Sequence, residues 1–202
     1  MKTVVFDLGG VVVDWDPVSA VAAVVGQERA ERFVHGAEFD FAAWNQAQDA
    51  GRSWADAEAA ATASHPDLAE EIAAYRPNFI LSLRGLIPGV PQILEALHDR
   101  GVRLVVLTNW SAETIHHGPE VFPEVFALFD DIVVSGRESV AKPDPEIFQI
   151  LAGRLGHPIV GVFYVDDSVR NVEAARAAGM DAAHFTDAVT LLKELQTRGL
   201  LD

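Results

Sequence analysis

The chain has 202 residues, 50% hydrophobic and 22% charged, enough for one sizeable core or for one core carrying an insertion. It contains no cysteine, which excludes disulfides and thiolate metal sites, and no apolar run approaches the roughly 20 residues of a membrane-spanning helix. With 15 basic against 30 acidic residues the formal charge is -15, a field that repels nucleic acid, anionic membranes and any small anion not met by a local positive charge.

In chain order, residues 3 to 7 form a Val/Phe run that begins directly after Met1-Lys2. That leaves no room for a leader peptide, and a cytoplasmic location is expected. The run ends at Asp7 and is followed by Gly9-Gly10, a turn able to bring backbone close to a ligand. From about 15 to 85 the pattern changes: Ala, Glu and aromatic residues recur at helical spacing, with no convincing strand. Asp16-Pro17 reads as a capping acid before a first-turn proline. We expect a helical cap domain over 15–85, set into a core domain made of 1–14 and 86–202. Phe39, Phe41, Trp44 and Trp54 are expected to fill the core of that insertion, some of them facing a site, with Arg52 a weaker candidate for ligand contact. Beyond residue 86, apolar runs at 103–107, 131–134, 161–165 and 181–185 alternate with helical patterns near 90–99, 119–128, 145–155, 169–178 and 187–198. Asp144-Pro145 opens one of these helices, while Gly101 and Gly179 close others. This alternation predicts an α/β fold, a Rossmann-like doubly wound parallel sheet with an inserted α-helical cap. The pair His116-His117 reads as ordinary surface.

Four stretches carry residues suited to phosphate chemistry: VVFDLGGVVV (4–13), RLVVLTNW (103–110), AKPDPEIF (141–148) and FYVDDSVRN (163–171). Three of them place Asp7, Thr108 and the Asp166/Asp167 pair at the carboxyl end of a strand, where open parallel sheets bind ligands. The other puts Lys142 in a Pro-rich turn before a helix. Asp7 at a strand tip can act as a nucleophile or merely cap its turn. Two adjacent carboxylates with Asp7 nearby would repel one another unless a cation sat among them, and hard oxygen donors suit Mg2+. The Thr108 hydroxyl and the Asn109 amide can bind phosphate oxygens, and Lys142 supplies a point charge against them. Taken singly, each has a plainer alternative: a strand end, a helix cap, a surface lysine. Three carboxylates against one ammonium leave the bare site net negative, so binding a phosphate dianion there requires the metal.

In this order and spacing the stretches resemble the haloacid dehalogenase-like (HAD) hydrolase superfamily, over residues 1–14 and about 86–185. The resemblance implies that Asp7 forms an aspartyl-phosphate, that Lys142 assists, and that Mg2+ is held by Asp7, Asp166, Asp167 and the backbone carbonyl of Gly9. Asn171 then stands where many relatives carry Asp. The implied function is Mg2+-dependent hydrolysis of a small phosphorylated metabolite, with neither nucleic acid nor membrane as partner. A 2-haloacid dehalogenase would share Asp7 but need no metal; a phosphotransferring mutase or a catalytically weak phospho-ligand-binding protein are further alternatives. One departure stands out. Most phosphatases of the superfamily carry a second Asp two residues after the nucleophile as general acid, and here that position is Gly9. A general acid supplies about 10²–10⁴ in rate, so its loss points to esters with good leaving groups, such as anomeric sugar phosphates or aryl phosphates. The DLGGVV form resembles a subgroup that includes sugar-1-phosphate phosphatases. Asp14 and Asp16 lie too far beyond the loop to substitute. Gly9→Asp would restore the acid, unless Gly9 holds a positive φ.

Overall fold

The computed structural model describes residues 2–202. After strand β1 (Thr3–Phe6) the chain forms β2 (Val13–Trp15) and then five helices: α1 (Pro17–Val25), α2 (Gln27–His35), α3 (Phe41–Asp49), α4 (Trp54–Ser64) and α5 (Ala69–Tyr75). Strand β3 (Leu83–Leu86) returns antiparallel to β2. There follow α6 (Val90–Asp99), β4 (Arg103–Thr108), α7 (His117–Val121), α8 (Pro123–Phe126), β5 (Asp131–Val134), α9 (Ser135–Glu138) and α10 (Pro145–Leu155). The chain closes with β6 (Phe163–Asp166), α11 (Val169–Ala177), β7 (Asp181–His184) and α12 (Ala188–Thr197). Strands β5-β4-β1-β6-β7 make one sheet, every pair parallel.

The strands read as unbroken apolar runs because helices cover both faces of the sheet. On one face Val4, Phe6, Leu104, Val106 and Val165 pack with Ile93, Leu94 and Leu97 of α6 and Leu191 and Leu195 of α12. On the other, Val5, Val105, Leu107 and Tyr164 meet Ile147, Phe148 and Leu151 of α10 and Val172 of α11. Each such side chain contributes about 1.5–3 kcal/mol on full burial, so the alternation along β1, β4 and β6 fixes which residue at each strand end faces which side.

Three expectations need correction. The region from 13 to 86 is not free of strand: β2 and β3 form a two-stranded ribbon where the insertion leaves and rejoins the core. The expected helix over 119–128 is two helices, because Pro123 has no N–H to give and holds Phe122 out of helical geometry (φ -125, ψ 55). The turn α9 was not anticipated at all.

The inserted helices have an aromatic core of their own. Phe33 stacks on Phe39 at 4.7 Å, Trp44 meets Trp54 edge-on at 5.2 Å, and Trp54 meets Tyr75 at 5.3 Å. Such pairs add about 0.5–1.5 kcal/mol each beyond their burial. A polar seam ties this unit to the sheet domain. Trp54 Nε1 donates to Ser111 Oγ (3.0 Å), Trp54 N donates to Glu113 Oε1 (2.9 Å), and Arg76 pairs with Glu58 (2.9 Å) and Glu113 (3.5 Å). Arg84 braces the ribbon against Asp14 (3.0 Å) and Asp16 (3.2 Å). Among the described residues no helix is long and apolar enough to cross a membrane.

Candidate active site

Strands β4, β1 and β6 lie side by side, so their carboxyl ends deliver three residues to one place. Phe6 is in register with Val106 and Val165, and the Asp7 N–H donates to Val165 O (2.9 Å), which sets Asp7 beside Asp166. Thr108 is the last residue of β4 and is buried. Lys142 completes the group, its side chain fully buried. Its Nζ donates to Asp7 Oδ1 (2.9 Å), Asp166 Oδ2 (2.7 Å) and Leu107 O (2.9 Å). The lysine is aimed by its own backbone: Lys142 N donates to Asn109 Oδ1 (2.8 Å) and Asn109 Nδ2 donates to Lys142 O (2.9 Å). The side chain of Asn109 is thus committed to the Lys142 turn, and only its backbone is left for a ligand.

Asp166 is fully buried and richly bonded. Oδ2 accepts from Lys142 and from the Tyr164 hydroxyl, Oδ1 accepts from Ser168 N (2.8 Å), and Asn171 Nδ2 lies 3.1 Å from both oxygens. Asp167 is exposed, its carboxylate against Gly10. Gly10 has φ +73, and a Cβ there would collide with Asp167 Oδ2, so the glycine is required on both counts. Gly9 differs. It is not among the residues of positive φ, and a Cβ built on it meets nothing within 4 Å.

Burial pushes the Asp7 carboxyl up to about 7; Lys142 pulls it down, while Asp166 and Asp167 add to the rise. Asp166 is also pushed up by burial, but Lys142 and its other hydrogen bonds outweigh this and hold it below the usual carboxylate range. Asp167, although the residue is exposed overall, is raised because its carboxylate is partly shielded from water and lies near Asp166. Ligand atoms of Asp7, Asp166 and Asp167 all lie within 4.8 Å of one another. Three acids around one lysine leave negative charge uncompensated, and the donors are all oxygens: the set fits a hard divalent cation.

Above this cluster opens a cavity of about 1090 Å³, walled by the core through Asn109, Lys142 and Asn171 and by the insertion through Trp15, Phe41 and Asp49. A smaller cavity of about 80 Å³ is lined by Gly9, Asn109 and Ser111 of the core and by Asp49 and Trp54 of the insertion. Two of the aromatic residues anticipated in the insertion, Phe41 and Trp54, thus also wall the site. Arg52 does not reach it: its guanidinium donates to Gln48 Oε1 (2.7 Å) and Trp44 O (3.2 Å) within the insertion. His116, His117 and Glu120 bring ligand atoms within 4.8 Å of one another, but they line neither cavity, and the His117 ring stacks on Phe79. Asp49 and Tyr164 are the site residues that the sequence did not single out. Asp49 is the last residue of α3; Asn45 Nδ2 donates to its Oδ2 (3.1 Å), and Ser111 of the core lines the small cavity with it.

The profile of the haloacid dehalogenase-like hydrolases matches residues 1–179. The chain belongs to that family. It is 28% identical over 203 residues to a sesquiterpene phosphatase of Aspergillus oryzae, covering 96% of this chain and 95% of the relative. It is 28% identical over 214 residues to a phosphoglycolate phosphatase of Salmonella typhi, covering 92% and 81%. Among solved structures, a wild-type HAD-family enzyme of Bacteroides thetaiotaomicron in complex with magnesium and inorganic phosphate superposes with a TM-score of 0.64 at 19% identity, covering 93% of this chain and 95% of that one. At that identity the likeness is one of fold.

Proposed function

We propose that this chain is a Mg2+-dependent phosphomonoester hydrolase acting on a small phosphorylated metabolite, with residues 15–85 as the cap that selects the organic part. One observation carries the reading: Lys142 buried between Asp7 and Asp166, with Asp167 alongside, an arrangement whose negative charge calls for a cation and whose lysine suits a phosphoryl group. Asp7, Asp167 and the Gly9 carbonyl would hold the ion. Asp166, whose oxygens already accept from four residues, stands behind them as a compensating charge rather than as the direct ligand expected. The ion supplies positive charge facing the phosphoryl oxygens.

The chain's own residues do the rest. Asp7 Oδ1 is held by Leu8 N (2.7 Å) and Lys142 Nζ, and Oδ2, which neither bond engages, attacks phosphorus. A bond forms between Asp7 and phosphorus as the bond to the alcohol oxygen breaks; water then attacks the aspartyl-phosphate, releasing phosphate and restoring Asp7. The Thr108 hydroxyl and the Asn109 amide bind non-bridging oxygens. A haloacid dehalogenase would share Asp7 but have no use for Asp167. The two named phosphatase relatives differ in the organic part they are named for, which agrees with selection by the cap rather than by the strand ends.

The test is hydrolysis of para-nitrophenyl phosphate. Turnover is expected to need Mg2+, to stop in chelator and to vanish in Asp7→Asn. Asp167→Asn should raise the Mg2+ requirement by about tenfold or more. Full turnover in chelator would overturn the metal assignment, and an unchanged Mg2+ titration would remove Asp167 from it.

A further inference from the structure

Position 9, where the resemblance puts the general acid, is glycine. The space its side chain would occupy is open, and an acid of the insertion, Asp49, lines the same small cavity. Gly9 and Asp49 both line the small cavity, together with Asn109 and Ser111, and Asp49 and Lys142 both border the large cavity. Asp49 therefore lines both spaces, as Asn109 of the strand-end cluster does.

Its position is built rather than incidental. Asn45, one turn earlier on α3, fixes Oδ2, and Ser111 of the core borders the same small cavity. The same Ser111 takes the Trp54 indole N–H through its hydroxyl, so the insertion is pinned to the core at the cavity that Asp49 borders. Resting on the phosphatase reading, we propose that Asp49 is the general acid–base of this active site, delivering from the cap the proton that position 9 cannot supply. The Asp49 O–H gives its proton to the alcohol oxygen as the P–O bond breaks and its electron pair moves onto that oxygen. The carboxylate then takes a proton from the water that attacks the aspartyl-phosphate, which returns Asp49 to its starting state.

The electrostatics agree with this double role. Burial pushes Asp49 up to about 7, while Lys142 and the Ser111 amide pull it down, so near neutrality both protonation states are populated. The other titratable group close to it is the buried phenol of Tyr75 on α5, whose ionisation Asp49 disfavours. A neutral Asp49 also spares the site a further negative charge when a phosphate arrives.

The test compares kcat/KM with Mg2+ for aryl and alkyl phosphates of graded leaving-group acidity in wild type, Asp49→Asn and Asp7→Asn. Asp49→Asn, which keeps the shape, is expected to lose about 10²–10⁴-fold on alkyl phosphates and only a few-fold on 2,4-dinitrophenyl phosphate. The dependence on leaving-group acidity is therefore shallow in wild type and steep in the variant. Adding Gly9→Asp to Asp49→Asn should recover the alkyl esters, since the backbone there accepts a side chain. Unchanged alkyl turnover in Asp49→Asn would overturn the proposal, and so would an equal loss across the whole series, which marks a positioning role. If wild type turned over no ester at all, the phosphatase reading itself would fall; if Asp7→Asn alone were inactive, only Asp49 would be displaced.

Discussion

Gly9 and Gly10 are neighbours with opposite requirements. Gly10 combines φ +73 with the Asp167 carboxylate packed where a Cβ would go, whereas Gly9 has neither restriction. Gly10→Ala is expected to cost about 1–3 kcal/mol in backbone strain, plus a displaced Asp167 and hence a higher Mg2+ requirement. Gly9→Ala should leave the urea midpoint nearly unchanged. Equal midpoints for the two variants would refute this account of the loop. At this scale much of the site was legible in the sequence. Asp7, Thr108 and Asp166 each end an apolar run that only a buried parallel strand explains, and Lys142 precedes a proline that opens a helix. Asp49 was not legible, since it ends an Ala- and Gln-rich helix far along the chain from Asp7, Thr108, Lys142 and Asp166 and is placed by the packing of the inserted helices. Its one trace in the sequence was indirect: a missing acid at position 9. Tyr164 was hidden because a tyrosine inside an apolar strand reads as core, and its hydroxyl is aimed at Asp166 only by the two-residue alternation of β6.

The larger elements divide in the same way. The five parallel strands were recoverable to within a residue or two at each end, because burial on both faces demands continuous apolar sequence. The ribbon of β2 and β3 was not, since three or four residues including Asp14, Arg84 and Gly85 carry no alternation to detect. That ribbon and the seam at Glu113 are what position the cap. Glu113 accepts from Trp54 N and pairs with Arg76, on helix α4 and just beyond α5. Glu113→Ala is therefore expected to cost about 1 kcal/mol and to raise KM several-fold while kcat falls less. A KM equal to wild type would show that the seam does not govern how the cap meets the substrate.

The whole molecule carries a formal charge of -15, yet concentrates buried carboxylates around a single lysine. Asp7 and Asp49 are both raised from 3.8 to about 7. Between those values the folded protein keeps protons that the unfolded chain has released, so each group lowers stability as pH rises through that window; below it both states are protonated and the effect vanishes. Groups held low, such as Asp131 and Asp181, have ionised in both states by pH 5 and add no slope above it. In chelator, Tm should accordingly fall from pH 5 to pH 8. Mg2+ selects the ionised site, so its stabilisation should be larger at pH 8 than at pH 5. Thermal unfolding in the four conditions checks both signs, and a Tm that rises with pH in chelator would contradict them. All four tryptophans of the chain also gather at this one place. Trp15, Trp54 and Trp110 wall the small cavity, and Trp44 lies edge-on to Trp54. Intrinsic emission from this protein therefore reports on a single locality, with no background from the distant half of the sheet. An unlabelled sample in a stopped-flow fluorimeter can then follow ligand binding at that one locality.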